Sequence, residues 1–312
     1  MSASGGFTLL SDVEGRGSET GPSNVFLTYI RMLGHYMKAR SQVYIFAWTT
    51  LISVLIATNL DPDPFIAGRA VLSIYFLALS AYIYNDTTDM KADSVNSSNR
   101  LLVAGRVSRK QVIVLSFVLS SAGILSALSI NVFTAMVAAA WLALGVVYSH
   151  PRTKFKDSFP YKTIINSAGA GLASIIGGAA AETISLYLVF AASLAVAFIW
   201  ILGPLGDIND LRGDRAAGKR TLPLVIGVVP TVIMMLVIPP TIAVTSFVVL
   251  DLIGMNMLSL FMILGVSVGS VYILRPLIWK WNNEYLIKMT RHRMRFMHLL
   301  LQLSLIIGLL TL

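Results

Sequence analysis

The chain has 312 residues, of which 56% are hydrophobic and 12% are charged, with 24 Lys and Arg against 15 Asp and Glu. Soluble domains carry about 25% charged residues, so this composition excludes a soluble globular enzyme, a disordered protein and a coiled coil. It predicts an all-α, polytopic membrane protein. The absence of cysteine from the sequence excludes disulfides, thiolate nucleophiles and cysteine-ligated metals.

The chain begins with a polar segment and continues as a series of apolar segments. Residues 1–22 are rich in Ser, Gly and acidic side chains, so we expect a disordered tail there and one transmembrane domain over 23–312. No apolar run follows a basic start, so we expect no signal peptide. Since a bilayer span needs about 20 residues, hydropathy predicts about nine transmembrane helices. They lie at 43–58, 65–85, 110–129, 131–148, 161–181, 183–206, 223–250, 256–275 and 296–312.

The basic residues predict the orientation of these spans. Every Lys and Arg except Arg69 lies in the N-terminal region or in a loop that follows an even-numbered span. Nine spans place all of these loops on one face, which the positive-inside rule identifies as cytoplasmic. We therefore expect a multi-pass protein of the cell membrane, with the N-terminus inside and the C-terminus outside. The loops on the other face are short, so we expect a bundle around a central cavity with a cap on the cytoplasmic side.

Two acidic motifs carry the chemical signal. Motif 1 (85–93) reads NDTTDMKAD, and motif 2 (207–214) reads DINDLRGD. Each places Asp at relative positions 0, 3 and 7, which fall within about 60° of a helix circumference and so form one stripe. Like charges on a stripe repel, and divalent cations would offset that repulsion. Carboxylates suit Mg²⁺, so we expect two Mg²⁺ sites that face each other across a diphosphate. The predicted catalytic metal ligands are Asp86, Asp89, Asp93, Asp207, Asp210 and Asp214.

Basic residues in the same loops, or in the loop after the fourth span, suit an anionic ligand. The candidates for diphosphate binding are Arg100, Lys154, Lys156, Lys219 and Arg220. The segment 166–181 is packed with Gly, Ala and Ser, which favours close helix packing. Its one polar candidate for contact with an acceptor is Asn166.

At these motifs the chain resembles the UbiA superfamily of intramembrane prenyltransferases, which carries N-D-x-x-D-x-x-x-D and D-x-x-D-x-x-x-D in two cytoplasmic-side loops. Residues 99–105 resemble the family stretch N-R-P-x-x-x-G, with Leu101 where proline is usual. Residues 213–223 resemble the run G-D-x-x-x-G-x-x-T-L-P of several members, and the pair Tyr148–Ser149 also matches. The resemblance extends from about residue 25 to the end. It implies nine transmembrane helices around a cavity and Mg²⁺-dependent transfer of a polyprenyl group from its diphosphate.

The resemblance also implies roles for single residues. Asn85 would add a metal ligand or orient Asp89, and Tyr148 would line the substrate site. Gly206 stands where several members carry a basic residue, so Lys219 or Arg212 would take over contacts with the diphosphate. The isoprenoid tail would lie in an apolar tunnel among the spans.

The acceptor is predicted from finer details of the motifs. The 213–223 run resembles archaeal members, which implies geranylgeranyl transfer to geranylgeranylglyceryl phosphate in ether-lipid synthesis. Prenylation of a quinone, chlorin or carotenoid precursor is an alternative, as are a terpene cyclase of the same superfamily and an ion-coupled transporter. The expected partners are a polyprenyl diphosphate such as geranylgeranyl diphosphate, a lipophilic acceptor and the lipid bilayer, without nucleic acid.

Overall fold

The computed structural model of the protein describes residues 22–96, 100–153 and 155–310. These ranges fold almost entirely into α-helices, which confirms the predicted all-α class. In chain order the helices are α1 (Pro22–Ala39), α2 (Val43–Ala57), α3 (Pro64–Asp86), α4 (Met90–Asn96), α5 (Arg109–Leu128), α6 (Val132–Ser149), α7 (Tyr161–Ala180), α8 (Leu186–Asn209), α9 (Leu211–Ala216), α10 (Leu222–Val225), α11 (Val228–Val249), α12 (Met257–Leu274), α13 (Leu277–Lys280) and α14 (Glu284–Ile307). The predicted tail lies outside the described residues except for Pro22, where α1 begins.

The apolar helices confirm a multi-pass membrane protein, but they do not confirm the count of nine spans. Helices occur at all nine predicted positions, and seven described helical segments are long and apolar enough to cross a bilayer. An eighth span results if Val25–Ala39 and Val43–Ala57, which are bent by 76°, count as one. Helix α14 is not among these spans, and its first half carries Arg291, Arg293 and Arg295.

Polar side chains cap the N-termini of helices that start on the face opposite the motifs. Asp63 accepts hydrogen bonds from the backbone N–H groups of Phe65 and Ile66 at the start of α3. Asn131 caps α6 and Asn256 caps α12 in the same way. These side chains satisfy amides that helix starts leave without partners, so short connections suffice on this face.

Small residues allow α7 to pack closely against its neighbours, as its Gly, Ala and Ser content predicts. A Cβ atom on Gly177 would lie 2.5 Å from the carbonyl oxygen of Thr50 on α2, so only glycine fits there. The Thr50 hydroxyl donates to the carbonyl oxygen of Ala173 on α7 at 2.6 Å. Helix α7 also packs against α6 and α8. It therefore joins the core around α2, α3, α5 and α6 to the core around α8, α11, α12 and α14.

Candidate active site

Each acidic motif lies at the junction between a long helix and a short one. In motif 1, α3 ends at Asp86 and α4 follows from Met90; in motif 2, α8 ends at Asn209 and α9 follows from Leu211. Across each junction the backbone amide of the third Asp donates to the carbonyl of the second, at 2.9 Å in motif 1 and 3.0 Å in motif 2. Neither motif is one continuous helix, but both keep helical spacing through the break.

The two motifs line one polar cavity of about 450 Å³. They face each other as predicted, since α4 packs against α9. The motif residues in the cavity wall are Asn85, Asp89, Asp93, Asp207, Asn209, Asp210 and Asp214. The Lys and Arg side chains that line it, among the described residues, are Arg40, Arg100, Lys162, Lys219, Arg291 and Arg295. The cavity therefore combines carboxylates that could bind cations with basic groups that could bind an anion.

Lys219 connects the two motifs. Its Nζ lies 2.8 Å from Oδ1 of Asp89 and 3.2 Å from Oδ1 of Asp214. Lys156 also contacts Asp89, with its Nζ at 2.9 Å. Burial raises the pKa of Asp89, but the ammonium groups of Lys219 and Lys156 outweigh burial and hold this pKa well below its usual range. The predicted residues Lys156 and Lys219 thus keep Asp89 ionised.

In motif 2, Lys162 contacts Asp207, with Nζ 2.5 Å from Oδ1. The Oδ2 atom of Asp214 is buried and accepts no hydrogen bond from the described residues, and Nζ of Lys162 lies 4.0 Å away. Burial raises the pKa of Asp214 against the opposing charges of Lys162 and Lys219. A buried carboxylate oxygen without a hydrogen-bond donor can accept a cation.

Asp86 differs from the other motif carboxylates because it does not line the polar cavity. It is 2% exposed and pairs with the guanidinium of Arg40, and Nη1 of Arg100 lies 2.5 Å from its Oδ1. It lines a separate cavity of about 230 Å³, and Arg40 and Arg100 border both cavities. Arg100 also reaches Oδ2 of Asp93 at 2.8 Å. Asn85 rather than Asp86 therefore lines the polar cavity with Asp89 and Asp93, and the role of Asp86 as a metal ligand stays a prediction.

Asn85 is held in place by three polar contacts. Its Nδ2 donates to Oδ2 of Asp89 at 2.5 Å, and its Oδ1 accepts from the hydroxyl of Ser149 at 3.1 Å and from Nζ of Lys156 at 3.2 Å. These contacts fix the orientation of the amide, and the amide in turn orients the carboxylate of Asp89.

An apolar pocket of about 160 Å³ adjoins the polar cavity. Tyr82, Asn85, Tyr148 and Asn166 border both spaces, as does Phe46. Residues of α3, α6 and α7, most of them apolar or small, form the rest of its wall: Ala81, Trp141, Leu144, Gly145, Ser149, Ile165 and Gly169. The predicted residues Tyr148 and Asn166 thus lie where polar cavity and apolar pocket meet.

Two predicted basic residues lie elsewhere. The side chain of Arg212 is 87% exposed and contacts the exposed Glu284 at 3.5 Å. Arg220 is exposed, and its backbone N–H donates to the carbonyl of Asp157 at 2.6 Å. The predicted residue Lys154 lies outside the described residues. The structure therefore does not bring Arg212 or Arg220 into the cavity.

Four cavity-lining cations have no predicted role in the sequence analysis: Arg40, Lys162, Arg291 and Arg295. All four lie on the face assigned as cytoplasmic, which is the signal that could have identified them. Because each is distant in sequence from the acidic motifs, the sequence alone predicts only a role in topology for them.

The side chains of the cavity combine features for and against Mg²⁺ binding. Within the described ranges, no three acidic or histidine side chains come close enough together to hold a metal ion. The reason is visible, since Lys162, Lys219 and Arg100 contact the motif carboxylates. The donor chemistry fits nevertheless: oxygen atoms from both motifs face one space, and Oδ2 of Asp214 lacks a hydrogen-bond donor in the part of the chain described. Lys162 and Lys219 contact the same carboxylate oxygens that a metal ion would use.

The fold and the cavity define an intramembrane helical bundle with a carboxylate-lined site at one end. The sequence profile of the UbiA prenyltransferase family matches residues 46–300. The chain therefore belongs to the UbiA prenyltransferase family, as its motifs indicate.

Curated relatives carry two kinds of name. Digeranylgeranylglyceryl phosphate synthase of Methanosarcina mazei is 31% identical over 185 residues, which cover 58% of this chain and 63% of that protein. The protein of the same name from Halobacterium salinarum is 30% identical over 57% of this chain and 63% of its own. Bacteriochlorophyll synthase 34 kDa chain of Chloroflexus aurantiacus is 27% identical over 51% of this chain and 53% of its own. The matches thus span less than two thirds of the length of these relatives.

Solved structures share the fold over most of the chain. A structure described as digeranylgeranylglyceryl phosphate synthase aligns with a TM-score of 0.70 and 19% identity, over 92% of this chain and 99% of its own. A UbiA homologue from Archaeoglobus fulgidus, bound to GPP and Mg²⁺, aligns with a TM-score of 0.67 and 17% identity, over 87% of this chain and 99% of its own. At such identities the alignments show a common fold.

Proposed function

We propose that this protein is a Mg²⁺-dependent intramembrane enzyme that transfers a prenyl group from its diphosphate to a lipophilic acceptor. One observation carries the proposal: two aspartate motifs, connected by Lys219, line a polar cavity that continues into an apolar pocket. The polar part suits a metal-bound diphosphate, and the apolar part suits an isoprenoid tail. Family membership supports this reaction class.

The side chains of each motif that face the cavity would hold one Mg²⁺, which makes two sites. When bound, Mg²⁺ would stabilise the negative charge of the leaving diphosphate. Lys162 and Lys219, released from their carboxylates, would donate hydrogen bonds to the same diphosphate. In this proposal Asp86 is a positioning residue rather than a metal ligand, because it holds Arg40 and Arg100 at the cavity edge.

The proposed chemistry breaks one bond and forms another. The bond between the first prenyl carbon and the diphosphate oxygen breaks, and its electron pair leaves with the diphosphate. The acceptor oxygen or carbon then donates an electron pair to the allylic cation and loses a proton. The apolar walls around Phe46 and Trp141 would exclude water, which would otherwise react with the cation.

For the acceptor we propose geranylgeranylglyceryl phosphate, with geranylgeranyl diphosphate as donor. The relatives named digeranylgeranylglyceryl phosphate synthase support this choice. A chlorin acceptor is the second candidate, because a bacteriochlorophyll synthase chain is also among the relatives. Quinone and carotenoid precursors are further acceptors to screen.

We further propose that the active-site loops and the N-terminus face the cytoplasm and that the C-terminus lies outside the cell membrane. The grouping of nearly all basic residues on the face that bears the motifs supports this orientation.

The test uses purified full-length protein in liposomes with geranylgeranyl diphosphate and Mg²⁺, with and without geranylgeranylglyceryl phosphate. Mass spectrometry detects lipid products and released diphosphate. We expect a diether product only when Mg²⁺ and the acceptor are both present.

Other results discriminate among the alternatives. Diphosphate released together with a hydrocarbon product, without acceptor, identifies a cyclase. Transfer to a chlorin, quinone or carotenoid precursor instead of the lipid contradicts the proposed acceptor. Intact diphosphate with every donor and acceptor contradicts the enzyme and favours a transporter.

A further inference from the structure

Two arginines of α14 line the polar cavity beside motif 2. Arg291 and Arg295 are one helical turn apart, and both are half-buried in the cavity wall. Helix α14 packs against α8, which carries the first residues of motif 2. A Cβ atom on Gly206 would lie 3.9 Å from Nη2 of Arg291, and nothing else lies within 4 Å of it. The missing side chain at Gly206 therefore leaves space that Arg291 borders.

These arginines differ from the other cavity cations in having no acidic partner. Each of the other four contacts a carboxylate of motif 1 or motif 2 within 3 Å. The side chains of Arg291 and Arg295 form no hydrogen bond or ion pair with any residue in the described ranges, and their like charges repel. Burying two cations partly without counterions costs desolvation free energy, and an anionic ligand would offset that cost.

The metal-bound diphosphate is a poorer candidate for this anion than the acceptor. Lys162 and Lys219 contact the motif carboxylates directly and so lie where a diphosphate held by those carboxylates would bind. Arg291 and Arg295 come from a different helix and contact neither motif's carboxylates. The planar fork of a guanidinium suits two oxygens of one phosphate group, and two such forks match a dianionic phosphate monoester.

Tyr82 relates this site to the place of reaction. Its side chain borders both the polar cavity and the apolar pocket, and it lies close enough to Arg291 and Arg295 for electrostatic interaction. A headgroup held by the two arginines would therefore sit next to the junction at which the prenyl carbon emerges from the pocket.

We propose that Arg291 and Arg295 bind the phosphate headgroup of the acceptor and thereby select a phosphorylated lipid. This inference rests on the proposed prenyl transfer and adds a specificity site to it. It excludes a neutral acceptor as the preferred substrate.

The kinetic test compares Arg291→Gln and Arg295→Gln with the wild-type protein. We expect each variant to raise the KM for geranylgeranylglyceryl phosphate by about tenfold or more, because a hydrogen bond to a charged group is lost. The KM for geranylgeranyl diphosphate should change by less than about twofold. The matched control is Arg293→Gln, an exposed arginine of the same helix that does not line the cavity. Arg291→Lys keeps the charge and should recover part of the lost affinity.

A binding measurement separates this inference from the proposed function. Geranylgeranylglyceryl phosphate and its phosphate-free analogue geranylgeranylglycerol are titrated against each protein without Mg²⁺ or donor. We expect the wild type to prefer the phosphate, and the Gln variants to lose that preference while their thermal unfolding matches that of the control.

The outcomes are distinct. If geranylgeranylglyceryl phosphate binds in an arginine-dependent way but no ether product forms, the proposed function is contradicted and the anion site stands. If both Gln variants form the ether product with an unchanged KM for the acceptor, the anion site is contradicted and the proposed function stands. A selective rise in the KM for the diphosphate reassigns the arginines to the donor and overturns the inference.

Discussion

Motif 1 and motif 2 have the same aspartate spacing but different surroundings. Asn85 and Gly206 occupy equivalent positions, yet Asn85 orients a carboxylate, whereas Gly206 leaves space beside an arginine of α14. Asp86 and Asp207 are also equivalent, yet Asp86 pairs with two arginines and does not line the polar cavity, whereas Asp207 lines that cavity beside Lys162. A repeated motif thus fixes the positions of its carboxylates along a helix, while the neighbouring helices decide what each carboxylate contacts.

The largest expected effect comes from the carboxylates that face the cavity in both motifs. Asp210→Asn should lower kcat/KM for prenyl transfer by about 10³-fold or more, because a metal ligand for the leaving diphosphate is lost. Asp251→Asn, an exposed acid after α11, is the control and should keep activity. Activity within tenfold of wild type in Asp210→Asn would remove motif 2 from the reaction.

The second prediction concerns the difference between Asp86 and Asp207. Asp86→Asn leaves Arg40 without its carboxylate partner in a buried setting, which should lower the free energy of unfolding by about 3 kcal/mol. Glu284→Gln breaks an exposed pair and should change this free energy by less than about 1 kcal/mol. Unfolding in detergent, followed by circular dichroism, measures both. An Asp86→Asn variant that is as stable as wild type but as inactive as Asp210→Asn would restore Asp86 as a metal ligand.

Gly206 permits a smaller change that tests the space beside motif 2. Gly206→Ala should unfold at the wild-type temperature, because the new Cβ meets only Arg291 at 3.9 Å. Gly177→Ala should unfold at a lower temperature, since its Cβ would lie 2.5 Å from the carbonyl oxygen of Thr50. If both variants were destabilised equally, there would be no free space beside Gly206 in the cavity wall.

The smallest effect is expected at Arg212. Arg212→Gln should leave kcat/KM within about twofold of wild type, because this exposed side chain contacts only the exposed Glu284 among the described residues. Lys219→Gln is the comparison variant and should lose most activity, because Lys219 connects the motifs. A large loss in Arg212→Gln would show that α9, which bears this arginine, moves towards the diphosphate during turnover.

Much of the fold could be predicted because it depends on local sequence. Bilayer thickness requires long apolar segments, so hydropathy located a helix at every predicted span, and the positions of the motifs at span ends followed. The charged first half of α14 shows the limit of this approach, because hydropathy located only its second half.

The contacts within the site could be predicted only in part. The facing motifs follow from a repeated spacing that can be read directly from the sequence. The turn of Asp86 towards Arg40 and the approach of Lys162 to Asp207 depend on how distant helices pack. Arg212 lies within motif 2 and was expected to replace the basic residue missing at Gly206, but its side chain projects from α9 into solvent.

One measurement tests most directly whether the two motifs form a single site. Mg²⁺-dependent binding of a non-hydrolysable geranylgeranyl diphosphate analogue is measured for wild type, Asp89→Asn, Asp210→Asn and the double variant. If one diphosphate is held between both motifs, either substitution removes most of the Mg²⁺-dependent affinity, and the double variant loses little more. Losses in free energy that add in the double variant would mean that the motifs bind independently, and would contradict a shared site.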